Sequence, residues 1–305
     1  MEYIFERVFG YLDYESILNC RLGCKSWNAI LSNPSFWLKK LKTVGLPLEV
    51  YTKWMKIKNK FDELGIPKRE ITKALHNSYA HVMTKSTHTL GDSFMIKNDC
   101  LLKRWMSRPP IVVACTLGLM DVVKVLAELN ENFDVKYPDK LYFVTITRHY
   151  FLEFPIFLAM VEKHFEIVDF ILPKMTTPPT EIRRDNKMPL FIAAAESGHL
   201  NLVKRLLPLV RDVYEPCEYR SALLFAIRGN SMEVVKFLAH IFDVNVYSLP
   251  LVHPLHMATI YTNTAAVKIL VPLTNTGNLQ KEMQRPFTSI ECKQIINEEI
   301  NRRGL

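Results

Sequence analysis

Apolar residues recur along this chain at helical spacing, and from about residue 110 onward the pattern repeats itself. Five segments, which begin near residues 110, 155, 189, 222 and 254, each hold two short apolar stripes separated by small or polar residues. Each has an alanine early in its first stripe: Ala114, Ala159, Ala194, Ala226 and Ala258. A valine follows nine residues later in every copy: Val123, Val168, Val203, Val235 and Val267. The pattern predicts five copies of a helix pair, with an all-α fold.

The repeat has a physical explanation. Alanine permits close approach between helices, and two short amphipathic helices cannot bury their apolar stripes without neighbouring copies. Between the stripes stand Gly118, Gly198 and Asn230, residue types that tolerate the left-handed backbone at which a helix ends. We therefore expect a stacked helical solenoid.

These segments resemble ankyrin repeats, strongly in copies one, three, four and five. The resemblance is carried by "DVVKVL" (121–126), "AAESGHLNLVKRLL" (194–207) and "HPLHMA" (253–258), and it covers residues 109–272. The second copy departs from the pattern because Lys163 replaces the glycine and the interval from the first copy is longer. Residues 273–305 are expected to cap the array, since "RPFTSIECKQIINEEINRR" (285–303) resembles a truncated, polar last repeat.

The ankyrin resemblance implies a binding surface for proteins on hairpin tips and on the concave face of the first helices. Asp134-Val135, Asp212-Val213 and Asp243-Val244-Asn245 resemble the turns that lead into such hairpins. The contact segments are then 136–150, 178–187, 214–220 and 246–253. Their aromatic and arginine residues, types enriched at binding hot spots, are the target-binding candidates: Tyr137, Tyr142, Phe143, Tyr214, Tyr219, Arg220 and Tyr247. The alternative is that several of these tyrosines pack between hairpins.

The first forty residues predict three more helices. "YIFERVFGYL" (3–12) and "SILNCRLGCKSWNAI" (16–30) each carry an apolar stripe, and Asn33-Pro34 separates the second from a third that holds Phe36 and Trp37. So many large apolar side chains cannot be buried within so small a unit. We expect another surface to cover them.

Cys20 and Cys24 raise the question of chemistry in this region. A zinc site lacks a second pair of ligands nearby, and a redox pair is normally spaced Cys-x-x-Cys. Two interpretations suit one helical turn of separation better: small residues of an ordinary core, or part of a docking surface. The apolar excess favours the docking surface.

The pattern of residues 2–41 also resembles the F-box, through "YLD", "SILNCRLGCKSWNAI" and "NPSFWLKKL". The resemblance implies docking onto the Skp adaptor of SCF-type (Skp, cullin, F-box) ubiquitin ligases. The residues that would face the adaptor are Ile4, Phe5, Val8, Leu12, Leu18, Cys20, Leu22 and Lys25. Trp27, Pro34 and Trp37 would hold the three helices together. The family usually begins with Leu-Pro, and here Met1 stands near the proline position, so adaptor binding could be weakened or the true start could lie upstream.

Residues 42–108 connect the two modules. Trp54, Phe61, Leu64, Leu75 and Tyr79 recur at helical spacing, which predicts a stiff helical spacer. Lysines accompany them, and this part of the sequence holds most of the surplus of positive charge: residues 1–108 have 18 Lys or Arg against 10 Asp or Glu. A nucleic-acid or acidic-lipid patch is one interpretation. The solvated face of amphipathic helices is the favoured one.

Composition restricts the function classes. The 305 residues are 49% hydrophobic and 23% charged, no apolar run is long enough to span a bilayer, and the start Met-Glu lacks a secretion signal. Six scattered cysteines suit a reducing compartment, the cytosol or the nucleus. We find no phosphate-binding glycine loop and no His-Glu-x-x-His or Gly-x-Ser-x-Gly motif, and we expect no catalytic residue, cofactor, metal, nucleic acid or membrane.

The combination predicts a substrate receptor: residues 1–41 dock on the ligase, residues 42–108 set the distance and residues 109–272 hold a target protein near the ubiquitin-loaded enzyme. Two alternatives stay open. One is a plain ankyrin scaffold or inhibitor with a degenerate F-box, and the other is a microbial or viral mimic that redirects a host ligase.

Overall fold

The computed structural model describes residues 25–43, 46, 48–87, 109–138, 152–184, 188–246, 252–286 and 288–304. These residues are predominantly helical, with one hairpin of two-residue strands, which confirms the all-α prediction. The chain divides into two compact units, Met1–Glu162 and Lys163–Leu305, so the boundary falls inside the second repeat.

In the first unit the helices before the repeats are α1 (Lys25–Leu31), α2 (Pro34–Thr43), α3 (Leu48–Leu64) and α4 (Arg69–Thr87). The first repeat is α5 (Pro110–Leu117) and α6 (Met120–Glu128). A hairpin of β1 (Tyr137–Pro138) and β2 (Leu152–Glu153) leads to α7 (Pro155–Val161), the first helix of repeat two. Tyr137 pairs with Glu153 in antiparallel register.

In the second unit α8 (Phe165–Ile171) completes repeat two and runs into a 3-10 turn, Leu172–Lys174. Repeats three, four and five are the pairs α9 (Leu190–Ser197) with α10 (Leu200–Val213), α11 (Pro216–Arg228) with α12 (Met232–Ile241), and α13 (Pro254–Ile260) with α14 (Thr264–Leu270). After a second 3-10 turn, Val271–Leu273, the chain ends in α15 (Thr276–Met283) and α16 (Ile290–Arg302).

The two sequence markers form the core of every repeat. All five alanines and all five valines have no exposed surface, as expected for side chains at the contacts between packed helices. The first helices of successive repeats pack on each other, α5 on α7 in the first unit, and α9 on α11 and α11 on α13 in the second. The predicted solenoid arrangement of stacked pairs is confirmed within each unit.

The break between the two helices of a repeat has the same backbone in each copy. The residue four positions after the alanine has positive φ: 70° at Gly118, 61° at Lys163, 92° at Gly198, 54° at Asn230 and 49° at Thr262. Lys163 is thus a geometric equivalent of the glycine that it replaces. A non-glycine residue in this conformation costs about 1–2 kcal/mol, which the stacking of the repeat offsets.

Neighbouring turns in the second unit are also bonded to each other. The Ser231 hydroxyl donates to the carbonyl of Glu196 at 2.8 Å, and the Asn263 amide donates to the carbonyl of Ile227 at 3.3 Å. Gly229 lies so close to repeat three that a Cβ there would sit 1.9 Å from the Glu196 carbonyl oxygen. Glycine is required at this position for close approach, although its φ is negative.

Two of the three predicted turns are present, and the third is wrong. Asp134 and Asp243-Val244-Asn245 lie in turns, and the Asp243 carboxylate accepts from the Asn245 backbone N–H at 2.9 Å. Asp212 and Val213 instead form the end of α10, and α11 begins only three residues later at Pro216. Helix extension on both sides leaves residues 214–215 as the whole connection, so the segment 214–220 is not a projecting hairpin.

The C-terminal segment is a helix pair that closes the array. Cys292 and Ile296 of α16 and Leu279 of α15 are buried, while most other residues of these helices are polar. The first of the two helices, α15, ends before residue 285. The cap therefore begins earlier in the chain than the truncated repeat predicted for residues 285–303. Arg303 donates to the carbonyls of Thr274 and Val271, at 2.8 and 3.0 Å, and so satisfies the end of the 3-10 turn.

Candidate protein-binding surfaces

Most residues predicted to face the adaptor lie outside the described part of the chain. These are Ile4, Phe5, Val8, Leu12, Leu18, Cys20 and Leu22, and Cys24 of the discussed cysteine pair is also outside it. The remaining candidate, Lys25, is the first residue of α1 and is exposed. Its adaptor-facing role therefore remains a prediction, made at a solvent-accessible position.

The tryptophan and proline predicted to hold the three helices together are deeply buried. Pro34 opens α2 and Trp37 has no exposed surface, while Trp27 on α1 is half-buried. The Trp37 indole N–H donates to the carbonyl of Leu31 at 2.7 Å, which fixes the end of α1 against α2. The ring also meets His76 edge-on at 4.7 Å and lies 5.7 Å from the Tyr79 ring.

The Trp37 contacts show that α4 completes the core of the helices before it. Ile71, Leu75 and Tyr79 of α4 are buried, and α4 packs on α2. On α3, Trp54 and Phe61 of the predicted stripe are buried, and so is Ile57, whereas Leu64 at the end of the helix is 46% exposed. The apolar excess noticed in the first forty residues is therefore covered in part by the following helices.

The same two helices also hold repeat one. Lys53 of α3 forms an ion pair at 2.6 Å with Glu131, a largely buried carboxylate after α6. The Glu70 carboxylate of α4 accepts a hydrogen bond from the backbone N–H of Asp121, at 2.9 Å, in the first turn of α6. Leu119, the residue before this helix, provides no side-chain cap. Burial raises the pKa of Glu70, and the backbone hydrogen bond opposes that shift. α3 and α4 thus close the first end of the repeat array.

Several lysines of this region form ion pairs, namely Lys53, Lys58, Lys60 and Lys68. Lys58 and Lys68 both bind Asp62, at 2.7 and 2.8 Å, and hydrogen bonds from them lower the pKa of that carboxyl. Lys40 is an exception to the predicted solvated face: it is 5% exposed, with its ammonium 5.7 Å from the Tyr79 ring centre. Part of the positive charge of this region is therefore paired within the first unit.

Among the predicted target-binding residues, Tyr142, Phe143 and Tyr247 lie outside the described residues, and Tyr137 is described only as part of β1. Tyr214 corrects the prediction of direct contact, because it is only 7% exposed. Its hydroxyl donates to the carbonyl of Thr180, and the Arg183 guanidinium lies 5.0 Å from its ring. At this position the packing alternative is the right one.

Tyr219 and Arg220 belong to the first helix of repeat four. They are half-buried on the extended start of α11, and the Tyr219 ring lies 5.6 Å from that of Phe242. Both stay candidates for target contact, from a helix and not from a hairpin tip.

The first helices of repeats three to five carry further surface residues that are not among the predicted target-binding candidates, although a contact surface on the first helices is expected from the ankyrin resemblance. We call this surface the first-helix face and define it by Glu196, Phe225, Arg228, Ile260 and Tyr261. Arg228 binds the Glu196 carboxylate through two N–H groups, at 2.7 and 2.9 Å, and its guanidinium lies 4.2 Å from the Phe225 ring centre. Ile260 and Tyr261 are 54% and 48% exposed. Their spacing in the sequence could have indicated a shared face, since Glu196, Arg228 and Ile260 all stand two positions after the alanine marker.

The histidines of the second unit are held in packing and hydrogen-bonding networks. His199 is 4% exposed and stacks on Phe165 at 4.4 Å, and burial lowers its pKa despite Asp169, whose carboxylate is 3.3 Å away. The His256 ring lies 3.1 Å from the buried Glu282 carboxylate and 2.9 Å from the Arg285 guanidinium. These contacts tie repeat five to α15.

His253 caps the first helix of repeat five. It is 6% exposed, and Nδ1 accepts from the Leu255 backbone N–H at 3.2 Å. Nε2 must then carry the proton, and it faces the Asn278 side-chain amide at 3.0 Å. Burial lowers the pKa of His253 to about 4, so the ring is neutral at pH 7 and serves as a cap.

Neither metal binding nor a membrane span is supported by the described residues. They contain no group of three or more His, Cys, Asp or Glu side chains placed to hold a metal ion. Within the same residues, no helix has both the length and the apolar character that a transmembrane segment needs. Cys115 and Cys292 are buried free thiols and Cys217 is an exposed one.

Comparison with known proteins agrees with this architecture. An F-box-like family model matches residues 3–42, and a model of ankyrin repeats in three copies matches residues 156–248 and 190–282. A segment of 86 residues is 36% identical to the ankyrin repeat and KH domain-containing protein of Caenorhabditis briggsae; it covers 28% of this chain and 3% of that protein. The chain thus carries an F-box-like domain followed by ankyrin repeats, and it is an F-box/ankyrin protein.

Proposed function

We propose that this protein is a substrate-recognition subunit of an SCF-type ubiquitin ligase. Its F-box-like domain docks on a Skp-type adaptor and, through it, on a cullin, while its ankyrin repeats bind the target. The protein itself is then a non-catalytic receptor that acts in the cytoplasm or the nucleus. It raises the effective concentration of target lysines near the ubiquitin-loaded enzyme.

The observation that carries the proposal is the presence of both modules in one chain, joined by helices that pack on both. α4 packs on α2 of the F-box-like domain and on both helices of repeat one. Trp37 and Tyr79 lie on the first of these contacts, and Glu70 lies on the second. The F-box-like helices and repeat one are thus connected by packed helices, whereas a flexible tether would spread its ends over many separations.

For the target, the first-helix face offers the best-supported contact surface. Exposed aromatic and branched side chains and a stacked arginine are the residue types that dominate binding hot spots. Arg228 is held in place by Glu196 and by the Phe225 ring, so it loses little side-chain entropy on binding. Tyr219 and Arg220 of α11 are further candidates.

Adaptor binding is tested by pull-down of the intact chain with a Skp-type adaptor. We expect binding by the native sequence, its loss with Leu18→Asp and Trp27→Ala, and a weaker complex with Lys25→Glu. Lys42→Glu is the matched control because Lys42 is also exposed, but near the end of α2. No binding by the intact chain would reject the ligase proposal and leave the alternative, an ankyrin scaffold or inhibitor with a degenerate F-box.

Target binding is tested by proximity labelling with point variants in the intact chain. Removal of residues 1–41 is a poor comparison because it takes Trp37 away from His76 and Tyr79. We expect the adaptor variant Leu18→Asp to retain its labelled partners but lose their ubiquitination. The face variant Arg228→Ala with Tyr261→Ala should lose one set of partners while it retains the adaptor. An unchanged set of partners would exclude the first-helix face as the target surface.

A further inference from the structure

The second helix of repeat three is longer than its counterparts. α10 has 14 residues, whereas α8, α12 and α14 have 7, 10 and 7. Arg205, Leu209 and Val213 follow each other at intervals of four along it and so share one face. Leu209 and Val213 are 45% and 62% exposed, and the Arg205 side chain is 56% exposed. The extension therefore shows solvent a basic and apolar stripe.

This stripe forms one wall of a groove of about 380 Å³. The other wall is the segment that follows α8, from Leu172 to Pro179. Seven of the ten lining residues are apolar, and of these described lining residues Arg205 alone is charged. The volume lies at the lower end of the range of ligand pockets, which suits a few side chains of a peptide and not a folded domain.

The far wall is arranged before anything binds. Pro173, Pro178 and Pro179 fix their own φ angles, and the 3-10 turn Leu172–Lys174 closes with a hydrogen bond from Met175 to Leu172 at 3.3 Å. Leu172 and Leu206 are buried beneath the groove floor. A preformed wall reduces the ordering cost of binding.

Arg205 is positioned but not saturated. One N–H of its guanidinium donates to Asp169 at 3.2 Å, and Asp169 is itself held beside the buried His199. A guanidinium has five donors in a fixed fork, so this single hydrogen bond leaves donors for a second carboxylate. The charge that the groove offers a ligand is therefore positive.

We propose that this groove, between α10 and residues 172–179, docks a short apolar segment of a partner protein that carries an acidic side chain. The apolar side chains occupy the space against Met175, Pro178 and Leu209, and the acidic group pairs with Arg205. The proposal rests on second-helix residues and is independent of the first-helix face and of adaptor binding.

The test is selection from a randomised peptide display library on the intact chain, followed by fluorescence anisotropy with the enriched peptides. We expect these peptides to combine apolar residues with Asp or Glu and to bind Leu209→Lys about tenfold more weakly or worse. Ile290→Lys is the matched control, since Ile290 is 76% exposed on α16, and it should bind as the native chain does. Thr176→Lys on the far wall gives a second groove variant if Leu209→Lys does not fold.

Charge reversal makes the test sharper. Selection on Arg205→Glu should enrich Lys or Arg where the native chain enriches Asp or Glu. The proposal is overturned if no peptide is enriched, if enriched peptides show no preference for acidic residues, or if both groove variants bind them unchanged. It is also overturned if sedimentation shows a dimer of the native chain that Leu209→Lys dissociates, because the groove would then be an interface between copies.

Discussion

The two ends of the ankyrin array are closed by helix pairs that work in different ways. At the first end, α3 and α4 cover repeat one with an aromatic and aliphatic core that holds Trp54, Phe61 and Tyr79. At the last end, α15 and α16 cover repeat five with few apolar residues and with two buried carboxylates, Glu282 and Glu299. Each pair covers the apolar face of an end repeat, which lacks a neighbouring repeat to bury it.

The difference follows from what each end must do. The first pair meets repeat one on one side and the F-box-like helices on the other, so it is buried from two directions and can be strongly apolar. The last pair faces solvent on its outer side, which favours polar residues held by hydrogen bonds. The first end should therefore be sensitive to lost volume, and the last end to pH.

The largest effect is expected from loss of volume at the first end. Trp54 has no exposed surface, so Trp54→Ala should destabilise the protein by about 3–5 kcal/mol in chemical denaturation, because it leaves a large cavity. Trp54→Phe is the matched control: the indole N–H has no hydrogen-bond partner among the described residues, so most of the loss should be recovered. Equal losses in the two variants would contradict a volume effect.

The next effect concerns pH at the last end. The pKa of His253 is lowered from 6.5 to about 4 by burial, so the unfolded chain binds a proton between these values and the native chain does not. The stability that this histidine contributes is complete above pH 6.5 and is lost as pH falls toward 4, by about 3 kcal/mol. Denaturation midpoints measured across this pH range check it.

The matched variant for this prediction is His253→Asn. Asparagine caps helices well and can accept from the Leu255 N–H, but it does not titrate. The slope between pH 6.5 and 4 should become shallower in the variant, and hydrogen exchange should show the change in α13 and α15. An identical slope would mean that other groups cause the acid loss. Below that range a second contribution follows from Glu299, whose pKa Arg302 and Arg303 lower to about 2.

A smaller effect is expected from the cap that α4 provides to repeat one. Glu70→Ala removes the acceptor for the Asp121 N–H and should cost about 1 kcal/mol, as other helix caps do. Glu70→Gln keeps an acceptor oxygen and should cost less. Hydrogen exchange of the first turn of α6 is the readout, and unchanged protection there in Glu70→Ala would contradict the cap.

The smallest effect is expected from the ion pair between Lys53 and Glu131. A double-mutant cycle with Lys53→Met and Glu131→Gln should give a coupling of about 0.5–1 kcal/mol, because Lys53 is partly solvated even though Glu131 is largely buried. The coupling should fall in high salt. A coupling of zero at low salt would mean that α3 is held to repeat one by apolar packing alone.

Much of the fold could be predicted from spacing. The alanine and valine markers gave the core of all five repeats, because only helices that stack at a constant offset require the same small and branched residues at the same places. Asn33-Pro34 correctly separated α1 from α2, and the stripe around Trp54 and Tyr79 correctly predicted helices. Such local patterns are set by helix geometry and are therefore visible in the sequence.

The candidate site could be predicted less well. The sequence places Tyr214 and Tyr219 in a hairpin, but α10 and α11 occupy most of that region, and Tyr214 packs against Arg183 and bonds the Thr180 carbonyl. Ile260 and Tyr261 are exposed, although an apolar residue near an alanine marker has the sequence pattern of a core position. Which side of a short helix faces solvent depends on its neighbours, and these are not adjacent in sequence.

By itself, the sequence determined the helical period, the repeat with its turn residues, and the resemblance of its first forty residues to an F-box. These depend on local backbone geometry and on side-chain size, which the order of residues specifies directly. Only the tertiary structure decided that residues 48–87 share a core with both the F-box-like helices and repeat one. It also decided that Lys40 is buried and that a groove lies beside α10, because burial depends on contacts between residues far apart in the chain.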